Sequence, residues 1–275
     1  MKKIAFSILS VFAFTAVMAE ETAPKGTLLR LNLDKGAEHT IVTDMKITSF
    51  TDASLQEEAF KMETTSSLNY KVMDKSAEGI HTIEASITSL TARQSAQGME
   101  IFYDSNDPET SQGMGAMVAQ QFEPILNKKI TFKVNSMGEV VEKPTETAEG
   151  PINMADFVDN LFMKMPKQEI SKNDTWKEEN SGSGMAPFEL SLNYKVDEIT
   201  RDEVIISTSA GKEDLKMEDA EASEVKDMNL KMGGKMTFDK KTGRIISSTL
   251  SQTVSGSDPQ QGEFFMVTSI TQTSK

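Results

Sequence analysis

Two short motifs in the second half of the chain contain the residue types that serine acyl-transfer enzymes use. Ser223-Glu224-Val225-Lys226 fits the S-x-x-K pattern, and Lys241-Thr242-Gly243 fits K-T-G. That chemistry needs the serine at a helix start and a separate strand that brings K-T-G across a cleft. Here the two motifs are about fifteen residues apart, and the stretch around the serine has no apolar helical face. We therefore interpret K-T-G as a hairpin turn and predict no catalytic serine.

Acidic side chains raise the question of a cation site. Asp104-Ser105-Asn106-Asp107 begins like a calcium-binding loop, but Glu109 and Gly115 stand where such a loop has its sixth-position Gly and its twelfth-position Glu. An acidic turn explains this segment better. The acidic run from Lys212 to Asp227 lacks clear periodicity and is typical of a solvated loop or a short exposed helix. We predict no metal site and no cofactor.

A pair of carboxylates remains the alternative source of chemistry. Aspartic peptidases share one proton between two carboxylates, usually on Asp-Thr-Gly or Asp-Ser-Gly turns. Neither turn occurs, and the nearest segments are Asp174-Thr175-Trp176 and Asp104-Ser105-Asn106. The two histidines, His39 and His81, have no partner at metal-ligand spacing, which favours surface or hydrogen-bonded roles. We predict no catalytic residue and keep a carboxylate dyad as an open alternative.

Methionine is the unusual component, with 18 residues in the chain. Several lie on two apolar stripes at helical spacing, and methionine side chains adapt well to irregular apolar partners such as lipid tails. Filling of gaps in the core is the alternative explanation. The candidate ligand-binding residues are Met114, Met117, Val118 and Phe122 on the first stripe and Met154, Phe157, Leu161 and Phe162 on the second.

The beginning of the chain predicts export. Met1-Lys2-Lys3 is followed by the apolar run 4–17 and by Val17-Met18-Ala19, which is the pattern of a secretory signal peptide over residues 1–19. No cysteine follows the cleavage site to accept a lipid anchor, and no later segment is apolar enough to form a transmembrane segment. We expect a periplasmic or secreted protein. The net charge of -13 argues against a nucleic-acid partner.

Elsewhere the dominant pattern has period two, which predicts strands. Apolar and polar residues alternate over 188–197, 67–72, 41–48 and, more weakly, 246–254 and 264–270. Several runs exceed the usual strand length, and frequent Gly and Asp turns separate them. The predicted fold is mainly β (α+β), with long antiparallel strands in one or two curved sheets or half-barrels. The two methionine stripes add two short amphipathic helices.

A repeated hexapeptide predicts an internal duplication. Ser-Leu-Asn-Tyr-Lys-Val occurs at 67–72 and again at 191–196, and Lys129-Ile130-Thr131-Phe132 has a later counterpart in Lys235-Met236-Thr237-Phe238. Each second element is followed by a Gly-containing turn. We predict a first β-rich half over 20–150 and a second over 151–275. The alternative is a single sheet whose amphipathic strands merely look alike.

Several short segments, taken in order, carry a resemblance to known proteins. The segments are Leu29 to Gly36, Tyr103-Asp104-Ser105, Ile130 to Val141, Met165-Pro166-Lys167 and Asn173-Asp174-Thr175-Trp176. Their order is similar to that of a family of bacterial envelope proteins recorded as a domain of unknown function, although Asn173 stands where that family usually has Gly. The layout also resembles the lipoprotein-carrier class of periplasmic half-barrels, which implies a long curved sheet around an apolar concavity plugged by short helices.

These observations give one leading hypothesis and two alternatives. The leading hypothesis is an exported, non-catalytic protein that binds a hydrophobic, lipid-like small molecule or an envelope protein. The first alternative is a secreted carboxylate-dependent hydrolase, such as an aspartic-type peptidase acting on extracellular glycoprotein. The second is a surface interaction module. The sequence predicts no oligomeric state.

Overall fold

The computed structural model describes residues 26–51, 57–96, 98–144, 158, 161–180, 189–216, 226–258 and 262–275. The predicted signal peptide lies outside these ranges. Within them the chain is mainly β, as predicted, with long antiparallel strands and one α-helix. The elements are β1 Glu38–Phe50, β2 Glu58–Lys75, β3 His81–Ala96, β4 Met99–Asp104, α1 Gly115–Phe122, β5 Ile130–Val134, β6 Val140–Glu142, β7 Thr175–Asn180, β8 Glu189–Ile199, β9 Glu203–Gly211, β10 Leu215–Lys216, β11 Lys226–Asp239, β12 Ile245–Asp258 and β13 Gly262–Ser274.

All thirteen strands belong to one antiparallel sheet. Its order is β10-β8-β9-β11-β12-β13-β1-β2-β3-β5-β6, with β4 paired to β3 and β7 paired to β8. The first strand of the chain therefore pairs with the last, β1 with β13, in the middle of the sheet. The strands are long, and the 18 residues of β2 extend over about 60 Å.

The two parts of the sheet repeat one pattern of pairing. Val72 is followed at once by a one-residue bulge in the β2–β3 ladder, and Val196 by the same bulge in the β8–β9 ladder. Phe132 of β5 pairs with Ile83, the partner of Val72, and Met236 of β11 pairs with Ile206, the partner of Val196. Phe132 and Met236 therefore occupy corresponding places in the two parts. The sequence similarity aligns Phe132 with Phe238 instead of Met236. The alignment based on sequence therefore differs from the one based on strand pairing by two residues. The repeated register supports an internal duplication.

Residues 26–34, which we call the strap, cross one end of the sheet between two hairpin turns. The amide of Leu31 donates to the carbonyl of Ser136 in the β5–β6 turn, and the amide of Asn32 donates to Thr242 in the β11–β12 turn, both at 2.8 Å. Amides of adjacent residues hold these two carbonyls within about 10 Å of each other. In a flat sheet the five strand spacings from β12 to β5 would separate them by about 24 Å. The sheet is therefore strongly curved at this closed end.

The strap is held at the closed end by alternating apolar and polar side chains. Leu29, Leu31 and Leu33 are 0–1% exposed and belong to one core cluster with residues of β2, β3, β5, β8, β9 and β11. Between them, Arg30 donates from its guanidinium to the carbonyls of Pro166 (2.7 Å) and Lys167 (2.6 Å). The strap thus joins both parts of the sheet through a shared apolar core.

A second segment, residues 161–170, completes the closed end, and we call it the plug. Ile170 exchanges two backbone hydrogen bonds with Thr27 of the strap, and the amide of Met165 donates to the carbonyl of Met137. The prediction of a second helix over this stripe is wrong for its last residues, because Leu161 and Phe162 are in a turn and a bend. Two causes act here: burial in the core cluster fixes an irregular backbone, and Pro166 disfavours helix at the residue before it.

The first predicted helix is present as α1 and packs on the face of β3 and β4 that carries the core. Val118 and Ala119 are each 3% exposed and contact a small cluster with Leu90, Ala92 and Tyr103. The register places these three sheet residues on the same face as the buried residues of the closed end. The helix therefore covers one side of the sheet beyond the closed end.

We expect Gly243→Ala to lower the free energy of unfolding by about 2–4 kcal/mol. Gly243, in the β11–β12 turn, has φ of 67°, and a Cβ there would lie 2.2 Å from the carbonyl oxygen of Arg30 in the strap. Gly36→Ala is the matched control, because Gly36 has φ of 83° with open space around it and should lose about 1 kcal/mol. Urea denaturation measures both losses. Equal losses would contradict a close contact between strap and turn.

Candidate functional site

Beyond the closed end, the core-bearing face of four central strands forms three transverse rows of side chains. The strands are β2, β1, β13 and β12, and each row is a set of residues paired across them. We call this surface the open face. From the closed end outward, its rows are Thr64, Met45, Ile270 and Leu250, then Met62, Ile47, Thr268 and Gln252, then Phe60, Ser49, Met266 and Val254.

The open face is apolar, uncharged and only half covered. Eight of its twelve side chains are apolar and the other four are uncharged Ser, Thr or Gln. Val254 is 5% exposed, whereas the remaining eleven are half-buried. In the closed end, by contrast, Val72, Ile83 and Phe132 are 0–1% exposed. The same face of one sheet is therefore fully packed at one end and partly accessible at the other.

The opposite face of the same strands carries their charged side chains, together with the apolar residues Phe50, Phe265 and Val267. Lys61 forms an ion pair with Glu63 at 2.7 Å, and the hydroxyl of Thr65 donates to Asp44 at 2.6 Å. These residues alternate along β1 and β2 with those of the open face. A chain with net charge -13 thus keeps charge away from this one surface. Such segregation is expected of a face that meets an apolar partner.

The row nearest the closed end continues beyond the open face to β7. From Leu250 it runs through Gly234 of β11, Thr208 of β9 and Tyr194 of β8 to Trp176. Gly234 leaves a gap in this row that Leu250 and Thr208 fill, since a Cβ there would lie 3.1–3.2 Å from their methyl groups. From Trp176 to Thr64 this row crosses eight strands, about 34 Å along the sheet. One continuous track therefore joins the open face to the β7–β9 edge.

At that edge two aromatic side chains stack on the core-bearing face. Trp176 and Tyr194 have ring centroids 5.2 Å apart and planes 17° from parallel. A hollow of ≈ 550 Å³ lies at the same three strands, and six of its nine lining residues, including Lys177, Asn193 and Lys195, have side chains on the opposite face. Burial, with the nearby Glu178 carboxylate, raises the pKa of Tyr194 to about 12, so its phenol stays neutral at physiological pH.

Two polar atoms in this part of the row have no hydrogen-bond partner. They are the indole Nε1 of Trp176 and the hydroxyl Oγ1 of Thr208, and both are buried. Thr208 as a whole is 8% exposed. Buried donors and hydroxyls are nearly always paired in native proteins, so unpaired ones require an explanation.

On the other face of the same strands, Lys177 forms an ion pair with Asp214. Asp214 is 5% exposed and accepts hydrogen bonds from the ammonium of Lys177 (2.8 Å), the amide side chain of Asn193 (3.0 Å) and the backbone amide of Gly211 (3.0 Å). These hydrogen bonds, the one from Lys177 above all, hold the pKa of Asp214 below its usual value. The Lys177 charge is thereby committed to Asp214 and lies on the face opposite Trp176.

The closed end itself is filled. The hollow lined by Tyr70, Leu161, Phe162 and Ser274 measures ≈ 20 Å³, about the space of one water molecule. His81 is fully buried there, and its Nε2 accepts the amide hydrogen of Leu33 in the strap at 3.2 Å. This hollow therefore leaves no room for a ligand larger than a water molecule.

His81 makes the strap sensitive to acid. Burial, reinforced by the charge of Lys75, lowers the pKa of His81 from 6.5. Below about pH 6.5, His81 is protonated in the unfolded chain more readily than in the folded protein. The free energy of unfolding should therefore fall as the pH drops. His81→Val introduces the residue type found at Val204, the corresponding position in the other part of the sheet. In this variant the slope of the free energy of unfolding against pH, between pH 7 and 5.5, should be smaller by up to about 1.4 kcal/mol per pH unit.

Urea denaturation at several pH values measures these slopes. His39→Gln removes the other histidine and should leave the His81 contribution in place. A His81→Val variant with the wild-type slope would contradict the assignment.

The four residues predicted on the first methionine stripe are separated by the structure. Met114 and Met117 are 52% and 67% exposed, whereas Val118 is buried against β3 and β4. Phe122 is half-buried and packs against both the helix cluster and the main core. Met114 and Met117 are therefore not on the buried side of α1, and the binding role predicted for the four residues stays a prediction.

The second stripe is divided as well. Leu161 and Phe162 are 6% and 9% exposed in the plug. Met154 and Phe157 lie outside the described residues. The binding role predicted for these four therefore stays a prediction, and for Leu161 and Phe162 the observed role is packing of the closed end.

The other sequence candidates are occupied in local structure. Asp104 accepts the amide of Asn106 at 2.8 Å, and Asp174 accepts the amide of Ser171 at 2.7 Å. Each carboxylate thus stabilises its own turn, as the acidic-turn interpretation of the first expects. The K-T-G segment is the β11–β12 turn, where Asp239 accepts from the amide and hydroxyl of Thr242. Ser223 lies outside the described residues.

Sequence reasoning missed the open face as a site, although its signal was visible. The alternation of Met45 and Ile47 in β1 and of Phe264, Met266 and Ile270 in β13 predicted apolar strand faces. Nothing local shows that these faces are adjacent or that they remain uncovered. Within the described ranges, no helix is both long and apolar enough to cross a bilayer.

Comparison with known families gave a match over part of the chain. Residues 148–245 match a family of unknown function, DUF6263, which confirms the resemblance to such a domain over that range. Curated proteins gave no match.

Among solved structures, the chain is similar to lipovitellin, in a structure that describes lipid–protein interactions in that protein. The TM-score is 0.54 at 11% sequence identity, over 88% of this chain and 25% of lipovitellin. The chain thus spans about a quarter of lipovitellin's length, and at this identity the likeness shows the fold alone.

Two bacterial proteins align with scores too low to show a shared fold. One is an outer membrane channel from Pseudomonas putida F1, at 8% identity and a TM-score of 0.19, over 89% of this chain and 97% of the channel. The other is OpdQ from Pseudomonas aeruginosa, at 9% identity and 0.15, over 82% of this chain and 63% of OpdQ.

Proposed function

We propose that this protein binds a lipid-like hydrophobic molecule across the open face of its sheet, without catalysis. The observation that carries the proposal is the contrast within one face: packed at the closed end, uncharged and half-exposed over the three rows. An apolar surface of this extent on one side of a sheet is costly to leave against water. A bound apolar ligand removes that cost.

The side chains of the open face suit a lipid. Met45, Met62 and Met266 supply flexible, polarizable groups that conform to acyl chains of differing shape. Ile47 and Ile270 lie between them in the register and provide rigid apolar contact. The row to Trp176, about 34 Å long, offers more length than a single extended acyl chain needs.

Two further observations support the proposal. The likeness to lipovitellin is a likeness to a fold studied for its contacts with lipid. The signal sequence predicted over residues 1–19 implies that the protein works outside the cytoplasm, where lipids and lipid-linked molecules of the envelope are available. We therefore propose a periplasmic or secreted carrier or sensor of such molecules.

The test is direct binding by the purified chain. Organic extraction followed by mass spectrometry is expected to release lipid that co-purifies with it, and the delipidated protein is expected to bind tritiated hexadecane saturably from a cyclodextrin solution. A protein that releases no lipid and binds no hexadecane would refute the proposal. Capture of an apolar protein segment in place of lipid would favour the interaction module instead.

A further inference from the structure

The two parts of the sheet differ in how they neutralise one lysine. Lys71 and Lys195 are the same residue of the repeated hexapeptide, and both lie on the face opposite the core. The ladders place Lys71 between Glu38 of β1 and Glu84 of β3. Its ammonium forms an ion pair with Glu38 at 2.6 Å, and Glu84 is shared with Lys129 at 2.8 Å. In the first part of the sheet this lysine therefore has its counter-charge within the protein.

In the second part, the carboxylates at these two neighbouring positions are missing. The ladders place Lys195 between Thr175 of β7 and Ser207 of β9. Thr175 therefore stands where the first part has Glu38, and Ser207 stands where it has Glu84. Lys195 is exposed, and no carboxylate of the described ranges forms an ion pair with its ammonium. Lys195 is thus a cation whose counter-charge has been replaced by hydroxyl groups.

The charges that surround Lys195 are paired with one another. Lys177 forms an ion pair with Asp214 at 2.8 Å. Asp197, two residues along β8 from Lys195, forms an ion pair with Lys235 at 3.9 Å. Neither carboxylate therefore supplies the counter-charge that Lys195 lacks.

Lys195 and its two neighbours in the ladders line the hollow of ≈ 550 Å³ at these strands. That volume lies within the range of small-molecule sites, roughly 300–1,000 Å³. An ammonium is a donor through each of its N–H groups, and the hydroxyl of Thr175 donates or accepts. The hydroxyl of Ser207 donates to Asp197 at 3.2 Å, so Ser207 contributes space and not a free donor. The hollow thus offers room for a ligand beside a cation without a counter-charge.

We infer that this hollow binds the phosphate group of a small molecule, with Lys195 as its counter-charge and Thr175 and Lys177 as further donors. Lysine binds phosphate as a point charge. The Lys177 ammonium keeps N–H groups beyond the one that it donates to Asp214. A phosphate monoester presents three strong acceptor oxygens, which matches three donor groups better than the two oxygens of a carboxylate. The site lies on the face opposite the open face, so it goes beyond the proposed lipid binding and does not depend on it.

Variants that exchange residues between the two parts test the inference. Thr175→Glu restores the carboxylate that the first part has at Glu38, and Lys195→Gln removes the cation. We expect each to bind glycerol 3-phosphate at least about tenfold more weakly than the wild type, because the counter-charge is then supplied or no longer needed. Lys71→Gln is the matched control, since it removes the same charge from the corresponding position, and it should bind like the wild type. Amide chemical shifts of the isotopically labelled full chain measure the affinities and show where the ligand binds.

Three results would overturn the inference. They are a wild-type protein whose shifts do not respond to glycerol 3-phosphate, a Thr175→Glu or Lys195→Gln variant that binds like the wild type, and a Lys71→Gln variant that loses binding equally. Glycerol and glycerate test the ligand class, because the first lacks the phosphate and the second carries a carboxylate instead. Equal binding of either would exclude a phosphate site. Circular dichroism and thermal melts confirm that each variant is folded, and hexadecane binding should be unchanged in all three.

Vesicles distinguish the two sources of such a phosphate, since glycerol 3-phosphate is also the head group of phosphatidic acid. Sedimentation with phosphatidylcholine vesicles that contain phosphatidic acid is compared with sedimentation with phosphatidylcholine alone. Sedimentation that requires phosphatidic acid and is lost in Lys195→Gln would support the site and identify a lipid head group as its ligand. Binding of soluble glycerol 3-phosphate without sedimentation would support the site and identify a free phosphate compound. Sedimentation that requires phosphatidic acid but persists in Lys195→Gln would contradict the assignment of Lys195.

Discussion

Replacing Ile270 by glutamate should weaken hexadecane binding by at least about 100-fold while the sheet remains folded. Ile270 lies at the centre of the row nearest the closed end, between Met45 of β1 and Leu250 of β12. A carboxylate at that point has to lose water when an apolar ligand covers it, and an unpaired buried charge costs several kcal/mol. In the unliganded protein the half-buried position leaves the same carboxylate partly hydrated. Equilibrium binding of tritiated hexadecane measures the effect.

The control for this variant is the adjacent residue. Ser269→Glu places the same charge one position away, at an exposed position on the opposite face of β13. Its partner across the ladder is Lys46, so the new carboxylate meets a positive neighbour. We expect wild-type binding and a stability change within about 0.5 kcal/mol. If the two variants bind hexadecane alike, the open face is not the binding surface.

Shortening Leu31 to alanine should destabilise the protein by about 3–4 kcal/mol. Leu31 is 1% exposed at the centre of the strap and packs within the core shared by both parts of the sheet. Its removal leaves a cavity that the curved sheet cannot close, because the Leu31 and Asn32 amides fix the strap to both turns. For a chain of this size the loss corresponds to a fall in melting temperature of about 6–15 °C.

A neighbouring leucine gives the comparison. Leu28 is 50% exposed on the same strap, so Leu28→Ala should change the stability by no more than about 0.5 kcal/mol. Thermal melts of the two variants show whether any shortened side chain in the strap lowers the melting temperature, or only the buried side chain of Leu31. A similar melting temperature for both would show that the strap does not stabilise the closed end.

The strands were predictable because their signal is local. Residues 41–48 and 188–197 alternate apolar and polar side chains, and a strand is the structure whose side chains change face at every residue. The turn at Lys241-Thr242-Gly243 was predictable for a similar reason, since Gly adopts the positive φ that the turn needs. The pairing of β1 with β13 was not predictable, because it joins residues more than 200 positions apart and leaves no pattern in either strand.

The same limit applies to the candidate site. Methionines at helical spacing, such as Met114 and Met117, suggested a greasy surface, but helical spacing does not say which side of a helix meets the sheet. Met45 and Met266 look like ordinary core residues of strands until the register places them on an uncovered surface. The unpaired polar atoms of Trp176 and Thr208 lie in one row only because β7, β8 and β9 pair in one sheet. Only the assembled register could bring these residues together.

The pairing of the first strand with the last has a consequence for how the chain reaches this structure. Thr40 and Lys275 exchange two backbone hydrogen bonds, so the central ladder cannot form before β13 has been synthesised. A topology with such distant contacts folds slowly, since loop closure must precede any gain from pairing. Until β13 is available, β1 has an unpaired edge that can join other chains. This protein should therefore depend on protection from aggregation during the time between the synthesis of β1 and the synthesis of β13.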